Sequence, residues 1–101
     1  MGATVTQRST STDSTVALQD AVATKHPWNV VVWNDPVTPM SVVVIILRKI
    51  FQYSNAKATK LMMTVHNEGR AIVWSGEKDR AEAYCVQLHT HGLHASIEQD
   101  N

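Results

Sequence analysis

Two short, densely apolar segments, Trp28-Asn29-Val30-Val31-Val32 and Val42-Val43-Val44-Ile45-Ile46-Leu47, flank the polar turn Trp33-Asn34-Asp35-Pro36-Val37-Thr38-Pro39-Met40. No other feature restricts the fold as much. Both flanks have to be buried, so the turn is pinned at each end and its geometry is set by whatever core the flanks build. A rigid polar turn carried on a hydrophobic body is a common seat of binding chemistry.

The chain has 101 residues, 44% of them hydrophobic, with a formal net charge of zero, which allows a single domain with a small core. Balanced charge argues against a polyanion partner, and nucleic acid is not expected. The cations Arg48, Lys49, Lys57 and Lys60 fall in the middle, while Glu77, Asp79, Glu82, Glu98 and Asp100 come later, a distribution that suits solvated helix faces. Cys85 is the only cysteine, so no intrachain disulfide forms, in keeping with a reducing compartment. The N-terminus has no apolar signal region and the run from Val42 to Leu47 is too short to span a membrane. The chain therefore reads as a soluble, unexported, cytoplasmic protein with no membrane partner.

From Thr4 to Thr24 the sequence is rich in Ser and Thr and lacks periodicity, the composition of a flexible segment. Residues 1–25 are expected to form a flexible N-terminal extension, and residues 26–101 the folded domain. Trp28 to Trp33, with three valines and two tryptophans, suits a buried strand. Thr38-Pro39 reads as a helix start, Thr38 as N-cap and Pro39 in the first helical position, followed by a helix to about Gln52. Propensity alone would make that β-branched run a strand. The helical spacing of Met40, Val43, Val44, Leu47, Ile50 and Phe51 decides for helix.

Ser54 or Asn55 can cap a second helix, with Ala58, Leu61, Met62 and Val65 on one face and Gly69 as its stop. Arg70 to Trp74 reads as a second strand, Ser75-Gly76 as a break, Glu77 to about Thr90 as a third helix ended by Gly92, and Leu93 to Glu98 as a third strand. The order β-α-α-β-α-β predicts an α+β fold, a small three-stranded antiparallel sheet packed against three helices.

Onto this scaffold the polar groups can be placed. His66 follows Met62 by four residues, so the two share a helix stripe and an imidazole sits at the lip of an apolar face. Each group also has a plainer reading. His66 near a helix C-terminus is favoured by the helix dipole, Met40, Met62 and Met63 serve as core filler, and Asn34-Asp35 serves as a turn. Taken together they supply an amide oxygen, a carboxylate and an imidazole beside a thioether-lined surface. Acceptors of this kind suit a cationic donor such as a protein N-terminal α-ammonium, with the apolar surface taking the first side chain.

Two other chemistries fare worse. Cys85 as a nucleophile would sit inside a helix with no activating cation placed by the sequence, so the chain is not expected to be an enzyme. His89 and His91 are two apart on a helix and point different ways, so with His94 they make no metal site, and no cofactor is expected.

Read in order, Val31-Val32-Trp33-Asn34-Asp35, Thr38-Pro39-Met40, Ala58-Thr59-Lys60-Leu61-Met62-Met63-Thr64-Val65-His66 and Gly69-Arg70-Ala71-Ile72 resemble the signature blocks of the ClpS family. The resemblance spans about residues 27 to 98. It implies an adaptor of Clp ATP-dependent proteases that recognises N-degron proteins beginning with Leu, Phe, Tyr or Trp and hands them to a ClpA- or ClpC-type unfoldase working with ClpP. It further implies that Asn34 and His66 bond the substrate α-amino group, aided by Asp35. Met40, Val43, Met62 and Val65 would wall the side-chain pocket, with Thr38 at its rim and Leu93 as a late pocket residue.

Where many members carry a second acidic residue, this chain has Pro36, a variant that looks like the actinobacterial branch with its ClpC-type partner. The N-terminal extension would engage the unfoldase, and the chain would act as a monomer. The rival from another functional class is a generic protein-protein interaction domain with the fold of the ribosomal-stalk C-terminal domain, which ClpS resembles.

Overall fold

The computed structural model describes residues 26–100, and the expectation of a flexible extension over residues 1–25 lies outside them. Six elements follow one another: β1 (Trp28–Trp33), α1 (Met40–Phe51), α2 (Asn55–Glu68), β2 (Arg70–Gly76), α3 (Lys78–Thr90) and β3 (Ala95–Gln99). The sheet is antiparallel with β1 in the centre, in the order β2-β1-β3. This is the α+β order predicted from the sequence. No helix among the described residues is long and apolar enough to cross a membrane.

Alternation along β1 explains why its valines are all buried yet do different work. Val30 and Val32 face the helices and join Leu47, Leu88, Ala58 and Ala81 in the core. Val31 points to the opposite face and is nonetheless fully buried. On that face Arg70 pairs with Trp33 across β2 and Glu98 pairs with Asn29 across β3, so the bidentate Arg70–Glu98 ion pair at 2.8–2.9 Å runs diagonally over Val31. A bulge between Val30 and Val31 leaves Val73 unpaired and turns both Val73 and Trp74 toward the helices.

Several boundaries differ from the sequence expectation, each for a local reason. Thr38 is not the cap of α1. Its hydroxyl donates to Asp35 Oδ2 at 3.2 Å, while Pro39, extended at ψ 145°, precedes the helix and its carbonyl accepts from Val42 and Val43 N–H. The helix starts one residue later than the sequence suggests, so Pro39 and not Thr38 occupies the cap position. Strand β2 continues through Ser75-Gly76, because Ser75 Oγ donates to Asn29 Oδ1 and Gly76 lies against the Trp74 ring where a Cβ would collide. Strand β3 begins at Ala95, since Leu93 N–H is still turned back to the Leu88 carbonyl after Gly92 at φ 88°.

The α2 ends are as read. Ser54 Oγ accepts from Lys57 N–H at 3.1 Å and Gly69 ends the helix at φ 89°. Behind α2 and α3 an aromatic group of Phe51, Tyr53, Trp74 and Tyr84 closes the end of the domain. Tyr53 is held there by its hydroxyl, which donates to the Val73 carbonyl at 2.6 Å.

Candidate functional site

At the opposite end a small open cleft is lined by Trp33, Asn34, Asp35, Thr38, Met40, Val43, Met62, Val65, His66 and Leu93. All nine residues singled out from the sequence meet in this one cleft. Trp33 is the addition.

The chain builds the cleft from three directions. Helix α1 starts at its edge with Met40 and turns Val43 inward, helix α2 contributes Met62, Val65 and His66 from successive turns, and the loop after Gly92 brings Leu93. Val43, Met62, Val65 and Leu93 are buried, whereas Met40 is 42% exposed at the mouth. The apolar wall thus opens outward past a flexible thioether.

The polar side is the turn after β1. Asp35 accepts from Thr38 N–H at its backbone carbonyl, from Val37 N–H at Oδ1 (2.9 Å) and from the Thr38 hydroxyl at Oδ2. Asp35, Pro36, Val37 and Thr38 therefore form one four-residue turn, with Pro36 in the second position where its fixed φ is pre-set for the bend. The residue that replaces the expected acid stiffens the turn.

A single residue, Gly69, ties the two polar arms together. Gly69 N–H donates to the Val65 carbonyl at 3.0 Å, closing α2 one turn after His66, and the Gly69 carbonyl accepts from Asn34 N–H at 2.9 Å. Asn34 and His66 are thus set relative to each other by one left-handed residue. Both side chains are exposed, and no hydrogen bond among the described residues occupies either of them.

Trp33 braces this arrangement from the far face of the sheet. Its indole N–H donates to Ser96 Oγ at 2.9 Å, the Arg70 guanidinium lies 5.0 Å over its ring, and its backbone N–H donates to the His94 carbonyl at 2.9 Å. These contacts fix the end of β1 from which Asn34 departs. Their partners are 61 or more residues away in the cases of His94 and Ser96, so sequence spacing carried no signal for them.

The cleft presents acceptors, Asn34, Asp35 and His66, and among the described residues no Lys or Arg lines it. A carboxylate offers about four lone-pair sites, so Asp35 keeps capacity beyond its two side-chain bonds in the turn. The arrangement suits a ligand with a cationic donor head and an apolar body. Elsewhere, Cys85 lies 3.8 Å from His89 Nε2, but burial pushes its thiol up and away from the thiolate that a nucleophile needs. His89 Nε2 meets the Ala95 carbonyl at 2.6 Å and His91 Nδ1 the Gln87 carbonyl, and among the described residues no group of three His, Cys, Asp or Glu converges as a metal site would.

Residues 23–96 match the model of the family described as ATP-dependent Clp protease adaptor protein ClpS. The chain is 46% identical over 89 residues to the ClpS adapter protein of Corynebacterium diphtheriae, covering 88% of this chain and 79% of that one. It is 49% identical over 79 residues to that of Nocardia farcinica, covering 78% and 74%. Among solved structures, Agrobacterium tumefaciens ClpS2 bound to L-phenylalaninamide is similar at a TM-score of 0.72 and 28% identity, covering 74% of this chain and 98% of that one.

Proposed function

This chain belongs to the ClpS family of ATP-dependent Clp protease adaptors, and on that premise we propose that it selects substrates by their N-termini. The ligand is a free α-amino group carried on a bulky hydrophobic first residue, Leu, Phe, Tyr or Trp. The bound protein is then delivered to a ClpA- or ClpC-type unfoldase and its ClpP peptidase. Residues 1–25, ahead of the folded domain, serve the handover.

The observation that carries this reading is the convergence, in one cleft, of unoccupied acceptors at the mouth and an apolar wall behind them. Asn34 Oδ1 and a ring nitrogen of His66 each accept one N–H of the α-ammonium, and the Asp35 carboxylate adds attraction to its positive charge. The first side chain enters between Met40, Val43, Met62, Val65 and Leu93, with Thr38 at the rim. L-phenylalaninamide, the ligand of the Agrobacterium relative, has this chemistry, a free α-amine on an aromatic residue whose carboxyl is an amide. A generic interaction domain on the same scaffold needs no pairing of Asn34 with His66 through Gly69.

The test is binding of a fluorescent Leu- or Phe-initiated peptide, free and N-acetylated, to the native chain and to His66→Ala. Acetylation removes the charge and a donor and leaves polar groups unmatched, so it weakens binding by about 1–3 kcal/mol, or about 5- to 150-fold. His66→Ala weakens the free peptide by a similar factor and narrows the gap between the two peptides. Equal binding in all four combinations would overturn the proposal in favour of the interaction domain.

A further inference from the structure

We infer that the rim of this cleft reads the second residue of the captured chain and favours an apolar one, an inference that rests on the N-terminus-binding function proposed above. Val37 is 85% exposed, yet it sits in a turn held by three hydrogen bonds to Asp35 and stiffened by Pro36. A large apolar side chain is here presented to solvent on a rigid support, one residue from Thr38 and two from Asp35, both of which line the cleft. On the other side Met63, 39% exposed, precedes His66 by three residues and so lies next to it on the α2 surface. The cleft mouth is thus flanked by exposed apolar groups on both banks.

In an extended peptide, successive Cα atoms are about 3.8 Å apart and successive side chains point to opposite sides. With the first side chain in the cleft and the ammonium between Asn34 and His66, the second side chain leaves the cleft and crosses its rim. The exposed apolar groups it can meet there are Val37 and Met63. The Asp35 carboxylate repels an acidic second residue, and among the described residues no Lys or Arg lines the cleft to draw one inward. Contact with Val37 and Met63 removes apolar surface from water on both partners.

The experiment compares two unblocked peptides identical except at the second position, one beginning Leu-Leu and the other Leu-Ser, against the native chain and the double variant V37S/M63S. Both substituted side chains are exposed, and circular dichroism with a thermal melt verifies that the variant folds. We expect the Leu-Leu peptide to bind the native chain about three- to tenfold more tightly, and the ratio to fall toward one in V37S/M63S. A ratio near one in the native chain, or a ratio that survives the double variant, overturns the inference. An N-acetylated Leu-Leu peptide separates the two readings. If acetylation abolishes binding but the second residue has no effect, the cleft still captures free N-termini and only the rim's role fails.

Discussion

Asp35 holds its own turn together and, at the same time, places a negative charge at the mouth of the cleft. Because Pro36 has no N–H, the Asp35 side chain reaches past it to Val37 and Thr38, and the turn closes without help from a second acid. Met40 has the complementary task on the apolar side. Standing 42% exposed at the start of α1, it bounds the space where the first residue's Cβ has to pass. A β-branched Ile or Val carries its second substituent at that Cβ, next to the amino group. Forcing it past Met40 costs about 1–3 kcal/mol of overpacking, so a Leu-initiated peptide should bind about 5- to 150-fold more tightly than an Ile-initiated one. Met40→Ala should shrink that preference, as fluorescence anisotropy with the two peptides will reveal. Ile binding as well as Leu in the native chain would show that Met40 does not guard the entrance.

Between elements, the decisive joint is Gly69, which caps α2 and pairs with the segment leaving β1. Its φ of 89° is in the left-handed region, and a Cβ added there would meet nothing within 4 Å. Gly69→Ala therefore probes backbone strain alone. It should cost about 1–2 kcal/mol in urea unfolding, and it should weaken binding of unblocked peptides because Asn34 and His66 lose their common reference. Unchanged affinity alongside reduced stability would show that the two arms are positioned independently.

The same joint shows what was readable in advance and what was not. Ser54, Gly69 and the 3.6-residue spacing of α1 are local signals, and they located the helices. The nine cleft residues are legible through the resemblance of the turn and the α2 sequence to ClpS blocks, which carries Val43 of α1 and Leu93 with it. Thr38 differs from the expected cap because the Asp35–Thr38 turn delays the start of α1 to Met40, which leaves Pro39 in the cap position. The end of β2 was missed because Asn29, 46 residues away, supplies the acceptor that keeps Ser75 in the strand. Trp33 as a brace depends on Arg70 and Ser96, whose meeting across the sheet no spacing rule announces.

For the molecule as a whole, the sheet separates two kinds of stabilisation. The helix-side face is apolar packing around Val30, Val32, Leu47 and Leu88, while the far face is sealed by Trp33 and by Arg70 and Glu98, whose side chains remain 38% and 40% exposed. A pair that exposed contributes at most about 1 kcal/mol, so stability rests on the helix side, where the cleft is also built. The wall residues Val43, Met62, Val65 and Leu93 belong to the core and line the cleft at once. A ligand that completes this core adds to the stability of the entire domain. For a domain of this size each kcal/mol moves the melting temperature by about 4–8 °C. An unblocked Phe-initiated peptide at a hundred times its Kd stabilises the folded state by about 2.7 kcal/mol. Differential scanning fluorimetry should thus record a rise of about 10 °C or more with the free peptide and, for a tenfold loss of affinity on acetylation, about half that rise with its acetylated twin at the same concentration. Equal shifts from the two peptides would place the binding energy in side-chain burial alone and remove the amino-group clamp from the mechanism.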